Sequence, residues 1–432
     1  MDAEAVSLIA LVVFGWGLFS TRLGRADLSA PIVFVSVGVL FSEGLNVIDA
    51  DFSHEAIKVI AEVTLVWVLF ADAARVGLRE LRADLALYTR LLAVGLPLTI
   101  AAGALLALWL FDGVGVWMAL LIGAALAPTD AALGAAVMTD PAVPERVRRV
   151  LNVESGLNDG IATPVVTVAI AGVAASSGVH GFPSVGGALT DLLIGLAVGL
   201  VLGVVGGRAM RMARLRGWAS EDFAGPGVLG LAVAAYAGTL WLDGNGFVAA
   251  FIAGLAFGNS AGRGGVKEVF FVEQTAGLAS LVTWLLFGAV AVPTVIDQAD
   301  WRLVGYAVLS LTLVRMAPVA LALVGSGLSS RTVAFVGWFG PRGLASIIFA
   351  LIALEDLHAD ADRAVAVIGM TVLLSVVAHG LSAKPLAARY GATEARRTPT
   401  PAGAARPQPP VRRLVDSRVA PPQERPDSRR AE

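Results

Sequence analysis

Apolar residues in this chain come in unbroken runs of about 20 residues, separated by short polar joints; that is the length a helix needs to cross about 30 Å of hydrocarbon. Strands of a membrane barrel would alternate polar and apolar positions in segments of about ten residues, and these runs do not alternate. Without water to satisfy backbone polar groups, helices remain as the spanning element. The pattern predicts an all-α polytopic membrane protein. Its thirteen or so spans fall near 6–20, 30–48, 55–73, 89–111, 115–138, 148–175, 186–207, 226–242, 245–260, 267–292, 302–325, 331–354 and 363–384.

Loop charge supports that count, because Lys and Arg favour the cytoplasmic side. Basic joints carry Arg22/Arg25, Arg75/Arg79/Arg82, Arg146/Arg148/Arg149, Arg208/Arg211/Arg214/Arg216, Arg263/Lys267, Arg331, and a tail from Lys384. The joints between them carry Glu43/Asp49/Asp51, Asp112, His180, Asp243, Asp297/Asp300 and Glu355/Asp356/Asp360. The alternation places the N-terminus outside and the C-terminus in the cytoplasm. The transmembrane domain is expected over 1–390. Residues 391–432, rich in Pro and Arg and poor in large apolar side chains, read as a disordered cytoplasmic tail.

Composition agrees: of 432 residues 56% are hydrophobic and 15% charged, with mean hydropathy +0.76. A soluble domain carries about 25% charged residues. Lipid is the partner this implies, and nothing suggests nucleic acid. The absence of cysteine excludes disulfides, thiolate metal sites and cysteine catalysis. The first run follows Asp2 and Glu4 and lacks the basic start of a secretory signal, so it is kept as the first span. Span seven carries Gly195, Gly199, Gly203 and Gly207, a smooth helix face for close packing, either within the monomer or at a dimer contact.

Ionisable residues inside spans are costly and mark function. Span five contains Ala127-Pro128-Thr129-Asp130, where proline breaks the helix and Asp130 is placed to cap a new half-helix from Ala131. Freed carbonyls at such a break can coordinate a cation. Span six contains Glu154-Ser155-Gly156-Leu157-Asn158-Asp159; Glu154 and Asn158 share a helix face at i,i+4, as do Ser155 and Asp159. Counted from the basic residues at 146–149, Asp159 should lie about two to three turns deep. A buried carboxylate must take a proton, a cation or an Arg, which is the chemistry of exchange. Thr129 and Ser155 offer further hard oxygen ligands.

Two arginines also fall inside spans, Arg315 in span eleven and Arg342 in span twelve. Glu154 is the natural partner for Arg315, which leaves Asp159 free to work. Arg342 lies in Phe339-Gly340-Pro341-Arg342-Gly343, a second break, where a cation offsets the negative ends of half-helices. If spans 1–6 and 8–13 are inverted repeats, the two broken spans occupy equivalent places, and the site lies where they cross. Asp72 ends span three before a basic loop. His379 reads as a helix-end group near the cytoplasmic end of span thirteen.

At Ala127–Asp130, Glu154–Asp159, Leu313–Pro318, Gly340–Ser346 and His379–Pro385 the chain resembles the NhaP-type sodium/proton antiporters of the cation:proton antiporter-1 family, over about residues 5–390. The resemblance implies a thirteen-span inverted-repeat fold, similar to that of NhaA and NhaP, with two broken, crossing helices, a six-helix transport core and a homodimer. It implies that Asp159 binds Na⁺ or H⁺, that Thr129 and Ser155 are cation ligands, and that Asp130 balances the crossed helices. It further implies that Glu154 pairs with Arg315, that Asn158 holds the site together, and that Asp72 stands near the cytoplasmic funnel. An Asn-Asp pair, in place of two aspartates, is associated in the family with electroneutral exchange. The expected activity is exchange of Na⁺, or alternatively K⁺, for H⁺ by alternating access, without a cofactor. An organic-solute symporter would need a roomier and less charged crossing. A channel would show a carbonyl filter such as TVGYG, which is absent. Nothing in the chain has the His-Glu-x-x-His pattern of an intramembrane metalloenzyme.

Overall fold

The computed structural model describes residues 3–25, 28–45, 54–82, 84–177, 185–262 and 265–397. Among these the chain is helical, with no strand. Eight helices are long and apolar enough to cross a membrane, and three shorter apolar ones accompany them, Ala30–Gly44, Val116–Ala125 and Gly246–Ser260. Helix falls within every predicted stretch. Loop residues Asp49, Asp51, His180 and Arg263, and the tail beyond Arg397, lie outside the described residues.

Buried side chains sort the helices into two bodies. One cluster, around Leu91, Val137, Leu151, Val319, Phe335 and Ala387, draws mainly on Leu85–Leu110, Glu145–Ser176, Trp301–Ala322, Asp362–Arg397 and the two broken spans. Another, around Phe70, Ala232, Ala253, Phe257 and Val272, draws on His54–Ala74, Glu221–Leu240, Gly246–Ser260 and Gly265–Leu286. A larger apolar cluster joins them through residues such as Leu65, Ile122, Phe251 and Ile348.

The glycine face of the Val185–Leu215 helix is used inside the monomer. A methyl group at Gly199 would fall 2.5 Å from the Ala249 carbonyl oxygen, and one at Gly203 would fall 2.4 Å from that of Ala253. The two helices therefore touch backbone to backbone, which only glycine permits. Of the two readings of this stripe, packing within the monomer is the one realised.

Two features differ from expectation. Helix does not resume at Ala131: turns over residues 131–134 precede a single helical turn, Ala135–Met138. The backbone amides there are held by Asp130, and Pro141 follows shortly, so no second half-helix of full length forms. The last helix, Asp362–Arg397, continues past the boundary drawn at 390. Its C-terminal part is anchored by Tyr390, which stacks on Phe335 at 4.1 Å and meets the Thr332 hydroxyl at 3.0 Å, contacts that sequence composition does not report.

Candidate ion-exchange site

The two broken spans meet at their breaks. Val116–Ala125 ends at Leu126, and Ser330–Trp338 ends at Phe339, so each leaves unsatisfied carbonyls where the bilayer offers no water. Arg342 crosses to the first of these ends: its Nη1 donates to the Ala127 carbonyl at 2.5 Å and the Pro128 carbonyl at 3.0 Å. Asp130 answers in the other direction. Its Oδ2 accepts from the Leu344 amide at 2.9 Å, at the N-terminus of Leu344–Leu357, while Oδ1 accepts from Ala132 and Leu133 at 2.6 and 3.2 Å. A cation thus sits at a negative helix end and an anion at a positive one. A backbone bond from the Asp130 amide to the Pro341 carbonyl, 2.7 Å, closes the crossing. Gly343 makes this possible, since a methyl there would lie 2.1 Å from Asp130 Oδ2.

Against the first break lies the Glu145–Ser176 helix, whose residues Glu154, Ser155, Asn158 and Asp159 are all buried. Asn158 Nδ2 donates to Thr129 Oγ1 at 2.7 Å, and the Thr129 and Ser155 hydroxyls are 2.9 Å apart. Three of the predicted site residues therefore form one hydroxyl and amide cluster, with Asp159 on the next helical position. Pro164 cannot donate to the Gly160 carbonyl, so a second oxygen next to Asp159 escapes the helix ladder. Thr163 Oγ1 donates to the Asp159 carbonyl at 2.7 Å.

Glu154 is occupied. Its Oε1 lies 2.6 Å from Arg315 Nη2, with the side chains 4% and 2% exposed. The helix around Arg315 is irregular: Pro318 cannot donate to the Val314 carbonyl, and the preceding turn widens into a π turn over Ser310–Val314. Arg315 also abuts the second break, since a methyl at Gly340 would fall 2.5 Å from its Nε. Asp72 stands half-buried at the edge of the cluster, its carbonyl oxygen 3.6 Å from where a methyl on Gly156 would lie.

His379 is not at a helix end. It is buried within the final helix, which runs on for more than four turns to Arg397. Its Nε2 lies 2.9 Å from the Trp338 carbonyl.

Several charged groups inside helices were missed by the reading of spans. Glu273 pairs with Arg75, and Glu268 pairs with Arg214 at 2.6 Å. Glu62 bonds the Tyr236 hydroxyl, and Lys58 pairs with Asp356 at 2.6 Å. The last two pairs border a cavity of about 400 Å³ that also reaches Thr167 and Asn245. Thr167 is about 12 Å along the helix from Asp159 at 1.5 Å per residue, so this cavity is separate from the crossing. The signal for the missed pairs was an acidic or basic residue inside a largely apolar run, with its polar partner on another segment.

The transmembrane family described as the sodium/hydrogen exchanger matches residues 8–389. The chain belongs to that family. The exchanger is 28% identical over 395 residues to the K(+)/H(+) antiporter NhaP of Alkalimonas amylolytica, covering 89% of this chain and 67% of that one. It is 27% identical over 417 residues to the K(+)/H(+) antiporter NhaP2 of Shewanella sp. (strain ANA-3), covering 93% and 70%. Its fold is similar to the sodium proton antiporter MjNhaP1 of Methanocaldococcus jannaschii, with a TM-score of 0.77 at 22% identity, over 89% of this chain and 98% of that one. The exchanger is a multi-pass membrane protein of a monovalent cation/proton antiporter family.

Proposed function

We propose that the exchanger trades one monovalent cation for one proton at Asp159, by alternating access. The observation that carries this reading is the placing of two buried carboxylates, Glu154 and Asp159, on one stretch of helix beside the first break. Glu154 is held by Arg315, while Asp159 stands beside the Thr129, Ser155 and Asn158 cluster. Burial penalises the charged form of a carboxylate, so binding H⁺ or a cation at Asp159 relieves the same cost. The hydroxyls of Thr129 and Ser155, with the carboxylate, make the hard oxygen donor set that suits Na⁺. Either ligand brings the site to the same charge, so one-for-one exchange moves no net charge. Asn158 contributes an amide where a second aspartate would add another negative charge.

In this proposal Asp130 and Arg342 hold the crossing, Asp72 lies near the cytoplasmic entry, and the N-terminus is outside with the C-terminus in the cytoplasm. The protein works as a homodimer. K⁺ is the second reading of the cation, favoured by the names of the two relatives above.

Purified protein in liposomes, assayed for cation-driven ΔpH with Na⁺, K⁺ and Li⁺, tests the reading. Asp159→Asn should insert and remain folded yet exchange nothing. Exchange at the parental rate by that variant would overturn the assignment. Exchange by the unaltered protein should leave the membrane potential unchanged, and a cation-dependent current would refute the one-for-one ratio.

A further inference from the structure

The break in the second crossing span is tied to the last helix by two residues that no part of the exchange chemistry uses. Helix Ser330–Trp338 ends with the Trp338 carbonyl unsatisfied by its own helix. His379 Nε2 lies 2.9 Å from that oxygen, and because a carbonyl only accepts, Nε2 carries the hydrogen. One turn earlier, Ser375 Oγ accepts from the Arg342 amide at 2.7 Å. With the hydrogen on Nε2, Nδ1 of the neutral imidazole accepts from the Ser375 hydroxyl at 3.1 Å, so the two residues are themselves linked. Trp338 covers the imidazole, with ring centroids 5.2 Å apart, and its Nε1 donates to Ser382 Oγ at 3.0 Å. The carbonyl before the break and the amide after it are both held from one face of the final helix.

What lies between these two bonds is Phe339–Arg342, and Arg342 in turn holds the carbonyls of Ala127 and Pro128. Thr129 follows directly and bonds Asn158 and Ser155. Hydrogen bonds and two short covalent links, through Arg342 and the Pro128–Thr129 peptide, therefore connect His379 and Ser375 to the hydroxyl cluster beside Asp159.

We infer that His379 and Ser375 are positioning residues for cation binding, which set Arg342 and, through it, the Thr129 wall of the site. The inference rests on the exchange site proposed above. Its mark is a change in cation affinity separate from any loss of folded protein. A purely structural role would lower the amount of active protein without moving the cation concentration that half-saturates it.

The test compares His379→Ala, His379→Gln and Ser375→Ala with the parent chain. Two readouts are taken: the Na⁺ concentration for half-maximal exchange in liposomes, and the Na⁺ concentration for half-maximal thermal stabilisation in detergent. Gln can place an N–H donor where Nε2 stands, so it should restore what Ala loses. One lost bond to a buried carbonyl corresponds to about a tenfold change in an equilibrium. His379→Ala and Ser375→Ala are expected to raise both Na⁺ midpoints about tenfold, and His379→Gln to return them to near the parental value. If His379→Ala does not yield folded protein, Ser375→Ala and His379→Gln decide the matter. Unchanged midpoints in Ser375→Ala, or a Gln variant that does not restore binding, overturn the inference. An unaltered chain that shows no Na⁺-driven exchange would instead overturn the function on which it rests.

Discussion

Neutralising both halves of the Glu154–Arg315 pair should cost less than the two single neutralisations added together. The two groups are 2.6 Å apart and almost wholly buried, so neither has water to fall back on. Glu154→Gln leaves Arg315 charged with no carboxylate against it, and Arg342 is close enough for the two guanidiniums to repel. Arg315→Gln leaves a buried carboxylate with no cation. Either change strands a charge in a low dielectric, which costs about 3–5 kcal/mol. Independent effects would sum to roughly 6–10 kcal/mol in the double variant. Glu154→Gln/Arg315→Gln strands nothing, because the two amides can bond each other; the double should recover about 2–3 kcal/mol of that sum. In a chain of this length, one kcal/mol moves a melting midpoint by about 2 °C. Melting is followed by intrinsic tryptophan fluorescence in detergent. Each single variant should melt about 5–10 °C below the parent, with the double near the worse single. Strict additivity, or a single variant that melts with the parent, would refute the view that this pair is a closed structural unit.

Other consequences can be checked in the same preparations. Asp130→Ala removes the partner of three backbone amides and should cost about 1–2 kcal/mol, with Asp130→Asn keeping part of it; Gly343→Ala should resemble Asp130→Ala, because its methyl displaces the same carboxylate. Thr129→Val removes the bonds to Asn158 and Ser155 and should raise the cation concentration needed for half-maximal exchange, read from ΔpH in liposomes. Asn158→Asp adds a carboxylate to the site and should make exchange carry charge, detected as a current where the parent gives none. Lys58→Ala should leave the melting midpoint nearly unmoved, since its side chain is 36% exposed and such pairs are worth about 0–1 kcal/mol.

The helices were legible because the bilayer imposes two constraints that sequence displays directly, run length and the side on which arginine accumulates. The pairing of Glu154 with Arg315 was legible for a related reason, since a charge in hydrocarbon must have a partner and few were on offer. Pro128 and Gly340-Pro341 announced the two breaks. What could not be read was register between distant segments. Nothing local indicates that Arg342 reaches the carbonyls of Ala127 and Pro128, or that Asp130 caps Leu344 as well as its own turn. His379 was misplaced because apolar patterning fades near residue 384 while the helix continues to Arg397. The acidic residues Glu62, Glu268 and Glu273 were overlooked because each lies toward one end of a largely apolar run, and its partner is identified only in three dimensions.

The contact between Val185–Leu215 and Gly246–Ser260 has a mechanical consequence. Where two backbones touch, no layer of side chains exists to act as a lubricant. Turning either helix about its axis would bring a residue with a Cβ against the main-chain oxygens that now meet Gly199 and Gly203. That half of the protein is therefore geared together and must travel, or stay still, as one piece. Between the two bodies the joint is of another kind. Gly160 meets the flat ring of Phe251, where a single aromatic face lies against a helix with no Cβ in the way. A surface of that sort can shear at little cost, and it lies one residue from Asp159.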